Sequence, residues 1–291
     1  MKVCLACGQR FEADDWCCPG CGHSPEVCNG HLSFAPDLAE TSDGFDVDYF
    51  TPLARLEAGH FWFRARNRLL IWALRTYFPH ASSLLEIGCG TGFVLSGIQG
   101  AFSELRLSGS EIFSEGLILA QKRLPCVTLF QMDARHVPFE EEFDVIGAFD
   151  VLEHIEEDDA VLHQMYQAAK PGGGIMLTVP QHRFLWTVVD QCSFHKRRYA
   201  RRELVEKVEQ AGFEIIRATG FVFFLLPLML LSRVSRRRDH DDFDPVAELE
   251  VGHLLNAALE RALGAERILI ERGLSFPAGG SILAVARRPW R

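Results

Sequence analysis

Two sets of residues have types and spacings that could do chemistry. Cys4-Leu-Ala-Cys7-Gly8 and Cys18-Pro-Gly-Cys21-Gly22 are two Cys-x-x-Cys-Gly knuckles. In each, the glycine permits a tight turn whose amides can bond the thiolates, and four thiolates suit a tetrahedral zinc ion. Cys17 could stand in for Cys18, and His23 or Cys28 could replace a ligand. The second set starts at Leu84-Leu85-Glu86-Ile87-Gly88-Cys89-Gly90-Thr91-Gly92. An apolar run over 83–87 reads as a buried parallel strand, and glycines follow at alternate positions. They let the backbone turn sharply and let a ligand approach the main chain with no Cβ in the way. Phe93 and Val94 then open a helix whose free N–H groups face that ligand. A dinucleotide fingerprint would need glycine at Phe93, so NAD is disfavoured.

Carboxylates recur where later strands should end. Glu111 lies some twenty residues past the glycine turn, where an acidic side chain can accept ribose hydroxyls. Asp133 follows a strand-like run over 127–131, and Phe149-Asp150 closes another over 143–149. Asp150-Val-Leu-Glu153-His154 combines two carboxylates with an imidazole. His182 and His195 stand beyond the next strand, over 175–179.

The stretch from Glu86 to Gly92 resembles motif I of the class I S-adenosylmethionine (SAM) methyltransferases, and the resemblance extends over about residues 50–289. It implies cofactor contacts along Gly88, Cys89, Gly90 and Gly92, with Glu86 supporting the amino group through water. Glu111 and Ile112 would hold the ribose side, Asp133 and Ala134 the adenine, and Phe149 and Asp150 the methionine end. The resembled ubiquinone and menaquinone enzymes carry a carboxylate-x-x-Glu-His sequence, which in an O-methylating branch binds a divalent ion. Here that implies an ion at Asp150, Glu153 and His154, although the first carboxylate is Asp rather than Glu. His195-x-x-Arg198-Tyr199, with Glu203-Leu204 and Ala211-Gly212-Phe213, resembles their acceptor-side loop. Base candidates are therefore His154, His182 and His195. The cysteine knuckles resemble a zinc ribbon or a rubredoxin-type site.

The elements that must position these residues alternate strand and helix from residue 83 onward. That pattern predicts an α/β, doubly wound fold whose ligands bind at the carboxyl ends of the strands. The resemblance refines this to a mostly parallel, seven-stranded, Rossmann-like sheet with an antiparallel last strand over 281–288. Lys170-Pro-Gly-Gly-Gly174 is expected to break the helix over 157–169, ahead of a fifth strand over 175–179. The domain reading is a zinc ribbon over 1–30, an acidic linker over 31–48, and a methyltransferase domain over 49–291. Within it, 49–80 forms a helical cap, where Trp62 and Arg66 are lid candidates, and 220–275 forms an apolar and basic insertion.

Net charge is −9. Residues 1–50 hold two basic against nine acidic side chains, which disfavours nucleic acid. From 183 to 238 the balance reverses, with twelve basic against five acidic. There the apolar run Phe221–Leu231, followed by Arg233, Arg236, Arg237 and Arg238, suits peripheral membrane contact or a greasy substrate tunnel. A short apolar run with Pro227 inside cannot span a bilayer, and none follows Met1, so the expected location is cytoplasmic, peripheral to a membrane at most. The expected activity is methyl transfer to a small-molecule or lipid-linked acceptor, O-methylation ahead of N- or C-methylation. The rivals are an RNA methyltransferase and a non-catalytic SAM-binding scaffold that grips a protein partner through its ribbon.

Overall fold

The computed structural model describes residues 1–40, 47–235 and 250–290. The N-terminal region contributes β1 (Lys2–Val3), β2 (Arg10–Phe11), β3 (Glu26–Cys28) and β4 (His31–Ser33). Two cap helices follow, α1 (Phe50–Leu56) and α2 (Phe61–Tyr77). The alternating part runs β5 (Ser83–Ile87), α3 (Phe93–Ala101), β6 (Arg106–Glu111), α4 (Ser114–Arg123) and β7 (Thr128–Gln131). It continues with β8 (Phe143–Phe149), α5 (Asp158–Ala168), β9 (Ala169–Pro180), α6 (Val188–Cys192) and α7 (Arg201–Gln210). The chain closes with β10 (Glu214–Phe221), α8 (Leu226–Ser235), α9 (His253–Glu271) and β11 (Ser281–Arg287).

The main sheet has the order β10-β11-β9-β8-β5-β6-β7-β4-β3. From β7 to β10 it is the expected seven-stranded sheet, with β11 antiparallel between β9 and β10 and the other pairings parallel. Two differences stand out. First, β4 pairs in parallel with β7 through Leu32–Phe130 and Ser33–Gln131, and β3 adds outside it. Part of the expected linker is thus an edge of the sheet; residues 41–46 lie outside the described residues. Second, the helix ends before the glycine run as expected, at Ala168, but β9 starts at Ala169 rather than at 175 and takes in the glycines, with Gly174 paired to Val145 on one side and Arg287 on the other.

Alternation along the strands builds two cores. Leu84 and Val145 face the layer of α2, α3, α4 and α9, while Leu85 and Ile146 face α5 and α7. Burying each such aliphatic side chain contributes about 1.5–3 kcal/mol. Of the apolar run after β10, Phe221, Val222 and Leu225 are buried and Phe224, Leu228, Leu230 and Leu231 are exposed. Arg236, Arg237, Arg238 and the acidic stretch after them lie outside the described residues, as does the side chain of Arg233. No helix among the described residues is long and apolar enough to cross a membrane.

The cap is locked to the glycine turn by a buried clamp. The Thr91 hydroxyl donates to the Glu57 carboxylate at 2.7 Å, and Arg123 pairs with Glu57 at 3.0 Å. Arg123 also donates to the carbonyl oxygens of Thr91 and Ala54. Glu57→Ala would leave Arg123 without its counter-charge in a mostly buried place. We expect a loss of about 2–3 kcal/mol in urea unfolding, with the slope unchanged.

Candidate active site

The carboxyl ends of β5, β6, β7 and β8 lie side by side, so the residues that follow them share one edge of the sheet. At the first, Gly88 has φ +68°, and a Cβ there would come within 2.5 Å of Val151 Cγ2. The turn needs glycine on both counts. Glu111 arrives from β6 and is buried. Its Oε2 accepts from the Gly90 N–H at 2.9 Å, and Oε1 from the N–H groups of Ile112 (2.8 Å) and Phe113 (3.3 Å). Burial pushes its pKa up and outweighs the amides, which pull it down. One lone pair of Oε2 stays available for a hydroxyl.

Asp133 stands just beyond β7. Burial would raise its pKa, but Arg135 holds it low through paired bonds of 3.0 and 2.9 Å. Ala134 is buried beside it. Glu86, inside the glycine motif, is buried with Oε2 unpartnered among the described residues. Burial drives its pKa well up, opposed first by Arg66. Arg66 reaches in from α2, pairs with Asp150 and lies 4.4 Å from the centre of the Trp62 ring. Asp150 adopts φ +59° directly after Phe149, a conformation found at sites where the surroundings over-determine it. Arg66, Glu86 and Asp150 thus form one cluster of ionisable side chains near the carboxyl ends of β5 and β8.

A second group lies beyond β8 and β9. The rings of His154 and His195 meet edge to face at 4.7 Å. Glu153 is fully buried beside them, and neither carboxylate oxygen has a hydrogen-bond partner among the described residues. Burial, then the nearby Asp150 charge, push its pKa well above the carboxylate range. His195 Nδ1 lies 2.9 Å from Asp190 Oδ1, which also accepts from Arg198 Nε at 2.7 Å. Thr187 supplies N–H and O–H donors to Asp190 Oδ2.

These positions revise two expectations. Within coordination reach of Glu153 and His154 stands His195, not Asp150. Asp150 Oδ2 is taken by Arg66 and by the Thr178 hydroxyl at 3.2 Å. The trio Asp150, Glu153, His154 therefore does not form the ion site that the sequence spacing suggested. Nor does His182 join the pair. It stacks on Phe184 at 4.8 Å, and burial lowers its pKa. Glu57 carried no signal in the sequence, because its partners Thr91 and Arg123 lie 34 and 66 residues away.

Cys4, Cys7, Cys18 and Cys21 converge, with all four Sγ atoms within 4.8 Å of one another. The Cys4–Cys21 and Cys7–Cys18 separations are both 3.6 Å. Four sulfurs at about 2.3 Å from a central zinc sit roughly 3.8 Å apart, so the donor set fits. Backbone donors led by the Cys21 N–H pull the Cys18 thiol down to about 7. Cys17 bonds instead toward the Gly22 carbonyl and stays outside the cluster.

The sheet order and the glycine turn define a Rossmann-like fold of the class I SAM methyltransferases. Residues 54–218 match a family described as methyltransferase domain, and the chain belongs to that family. A biotin biosynthesis bifunctional protein of Teredinibacter turnerae is 27% identical over 227 residues, covering 68% of this chain. The chain spans only 39% of that relative's length. A ubiquinone biosynthesis O-methyltransferase of Azoarcus is 25% identical over 179 residues, 54% of this chain and 73% of the relative. In fold, the chain resembles a phosphoethanolamine N-methyltransferase of Haemonchus contortus solved with S-adenosylhomocysteine (TM-score 0.52, 20% identity, 77% of this chain and 52% of that one).

Asp190 allows a test by pH. Burial works to raise its pKa, but His195 and Arg198 hold it at about 2, below the ordinary 3.8. A depressed carboxylate stabilises the fold fully above about pH 4 and loses that contribution as pH falls through about 2. Asp190→Asn should cost about 2 kcal/mol at neutral pH, and urea midpoints of variant and wild type should converge toward pH 2.

Proposed function

We propose that the protein transfers the methyl group of SAM to an oxygen, or in second place a nitrogen, of a small-molecule or lipid-linked acceptor. The supporting observation is the Asp190–His195 pair beside His154, at the ends of β8 and β9 where an acceptor would approach the methionine end. Asp190 is held ionised, so Nδ1 of His195 carries the proton and Nε2 is the free acceptor. In the reaction, a lone pair of the acceptor forms a bond to the methyl carbon as the carbon–sulfur bond breaks. Sulfur keeps the bonding electrons and leaves as the thioether of S-adenosylhomocysteine. The acceptor proton passes to His195 Nε2.

Cofactor binding follows from the other cluster. Gly88–Gly92 carries the nucleoside and sulfonium, Glu111 and Asp133 face ribose and adenine, and Arg66 exchanges its pairing with Asp150 for the methionine carboxylate. The four cysteines hold a structural zinc ion. Relatives act on both oxygen and nitrogen acceptors, so preference for oxygen rests on the His195 base and the ubiquinone-enzyme likeness. Exposed Phe224, Leu228, Leu230 and Leu231 favour a greasy acceptor or contact with a bilayer surface.

Radiolabelled SAM incubated with the protein and host lysate, then fractionated, should place label in the lipid or small-molecule fraction. Label confined to RNA or protein would overturn the acceptor class. His195→Ala should lower kcat about 10²–10⁴-fold while S-adenosylhomocysteine affinity stays within about twofold.

A further inference from the structure

Gln131, the last residue of β7, is fully buried and uses its whole amide. Its Oε1 accepts from the Ser33 hydroxyl at 2.7 Å and the Ala35 N–H at 3.0 Å. Its Nε2 donates to the carbonyl oxygens of Ala35 and Ile112, both at 2.8 Å. Ser33 and Ala35 belong to the N-terminal extension. Ile112 belongs to the loop whose own N–H is held by Glu111. The extension grips that loop again where the Ser114 N–H donates to Ala39 at 2.9 Å.

The cysteine module itself packs on the chain that leads from β7 into β8, where Glu142 pairs with the Met1 amino group and with Arg106 at the amino end of β6. Val3 N–H donates to Pro138, and Glu140 N–H donates to Met1, both at 2.9 Å. Trp16 packs edge-on against Phe130 and Phe139 at 6.2 and 5.5 Å. Trp16 also packs, at 4.7 Å, on Phe34, the residue between Ser33 and Ala35. The loop at Ile112, one wall of the adenosine half of the cleft, therefore leans through Gln131 on chain that is continuous with the cysteines and packed on their module.

That module has almost no core of its own. Cys4, Phe11 and Cys18, with Trp16 against them, are its buried apolar cluster, and β1 and β2 are two residues each. So small a unit needs a metal to hold its shape. We propose that zinc at Cys4, Cys7, Cys18 and Cys21 sets the affinity for the adenosine half of the cofactor, with Gln131 as the positioning residue that connects them. The proposal rests on the SAM-binding reading above.

Two titrations test it on the full chain, zinc-loaded and chelator-stripped. Calorimetry with S-adenosylhomocysteine and with 5′-methylthioadenosine should show both dissociation constants rising about tenfold on stripping, with stoichiometry near one. Linkage then requires saturating S-adenosylhomocysteine to tighten zinc by the same factor in a chelator competition. Gln131→Leu should reproduce the weaker binding with zinc still bound, and stripping it should add less than about twofold. Ser33→Ala, which removes one of the four bonds, should weaken binding about two- to fivefold and serves if Gln131→Leu does not fold. Unchanged dissociation constants on stripping, or a falling stoichiometry at constant affinity, would overturn the coupling and leave zinc a folding ion alone. Absence of binding to the zinc-loaded chain would instead overturn the cofactor reading, and the coupling with it.

Discussion

A buried carboxylate holding three backbone N–H groups from two segments is the interaction on which the rest depends. Glu111 ties the glycine turn at Gly90 to the start of α4 at Ile112 and Phe113. Taking a carboxylate out of water is costly, and three amides oriented toward it offset much of that cost. The turn after β5 and the loop after β6 are thereby held at fixed separation, before any ligand arrives. Replace that anchor by an apolar side chain and three buried donors lose their partner, so the cleft would lose its shape as well as its charge.

Around this anchor the charges divide by position. At the end of β7, Asp133 is satisfied by its own neighbour Arg135. At the end of β8, Asp150 pairs with Arg66, while near the end of β5 burial drives the pKa of Glu86 up and leaves one of its oxygens unpartnered among the described residues. Beyond β9 the arrangement is different again, since Asp190 is saturated with donors and holds one ring nitrogen of His195 in place.

The parts legible in the sequence were those written in short-range patterns. The runs at 83–87 and 143–149 alternate between two cores, so their burial and parallel pairing followed from apolar continuity. The glycines and strand-end carboxylates followed because turn geometry demands them locally. Lys170–Gly174 did end the helix, but the strand was read as starting after it because glycine reads as a breaker, whereas the chain already joins β9 at Ala169 and Gly174 is paired on both sides. The trio at Asp150, Glu153 and His154 misled for a related reason. Spacing along the chain placed Asp150 near Glu153, but its positive φ and its pairing to Arg66 turn the carboxylate to another use.

Least legible was the role of the first forty residues. His31-Leu32-Ser33 has neither the length nor the alternation that marks a strand, and acidic neighbours make the region read as solvated chain. What makes it a strand is the edge of β7, whose unpaired N–H and C=O groups would otherwise face solvent. Gln131 then secures the register, because a shift of one residue would leave its buried amide without partners. A module too small to fold by burial is in this way joined to a sheet that can hold it. In return, the sheet gains a cover for the otherwise open edge of β7.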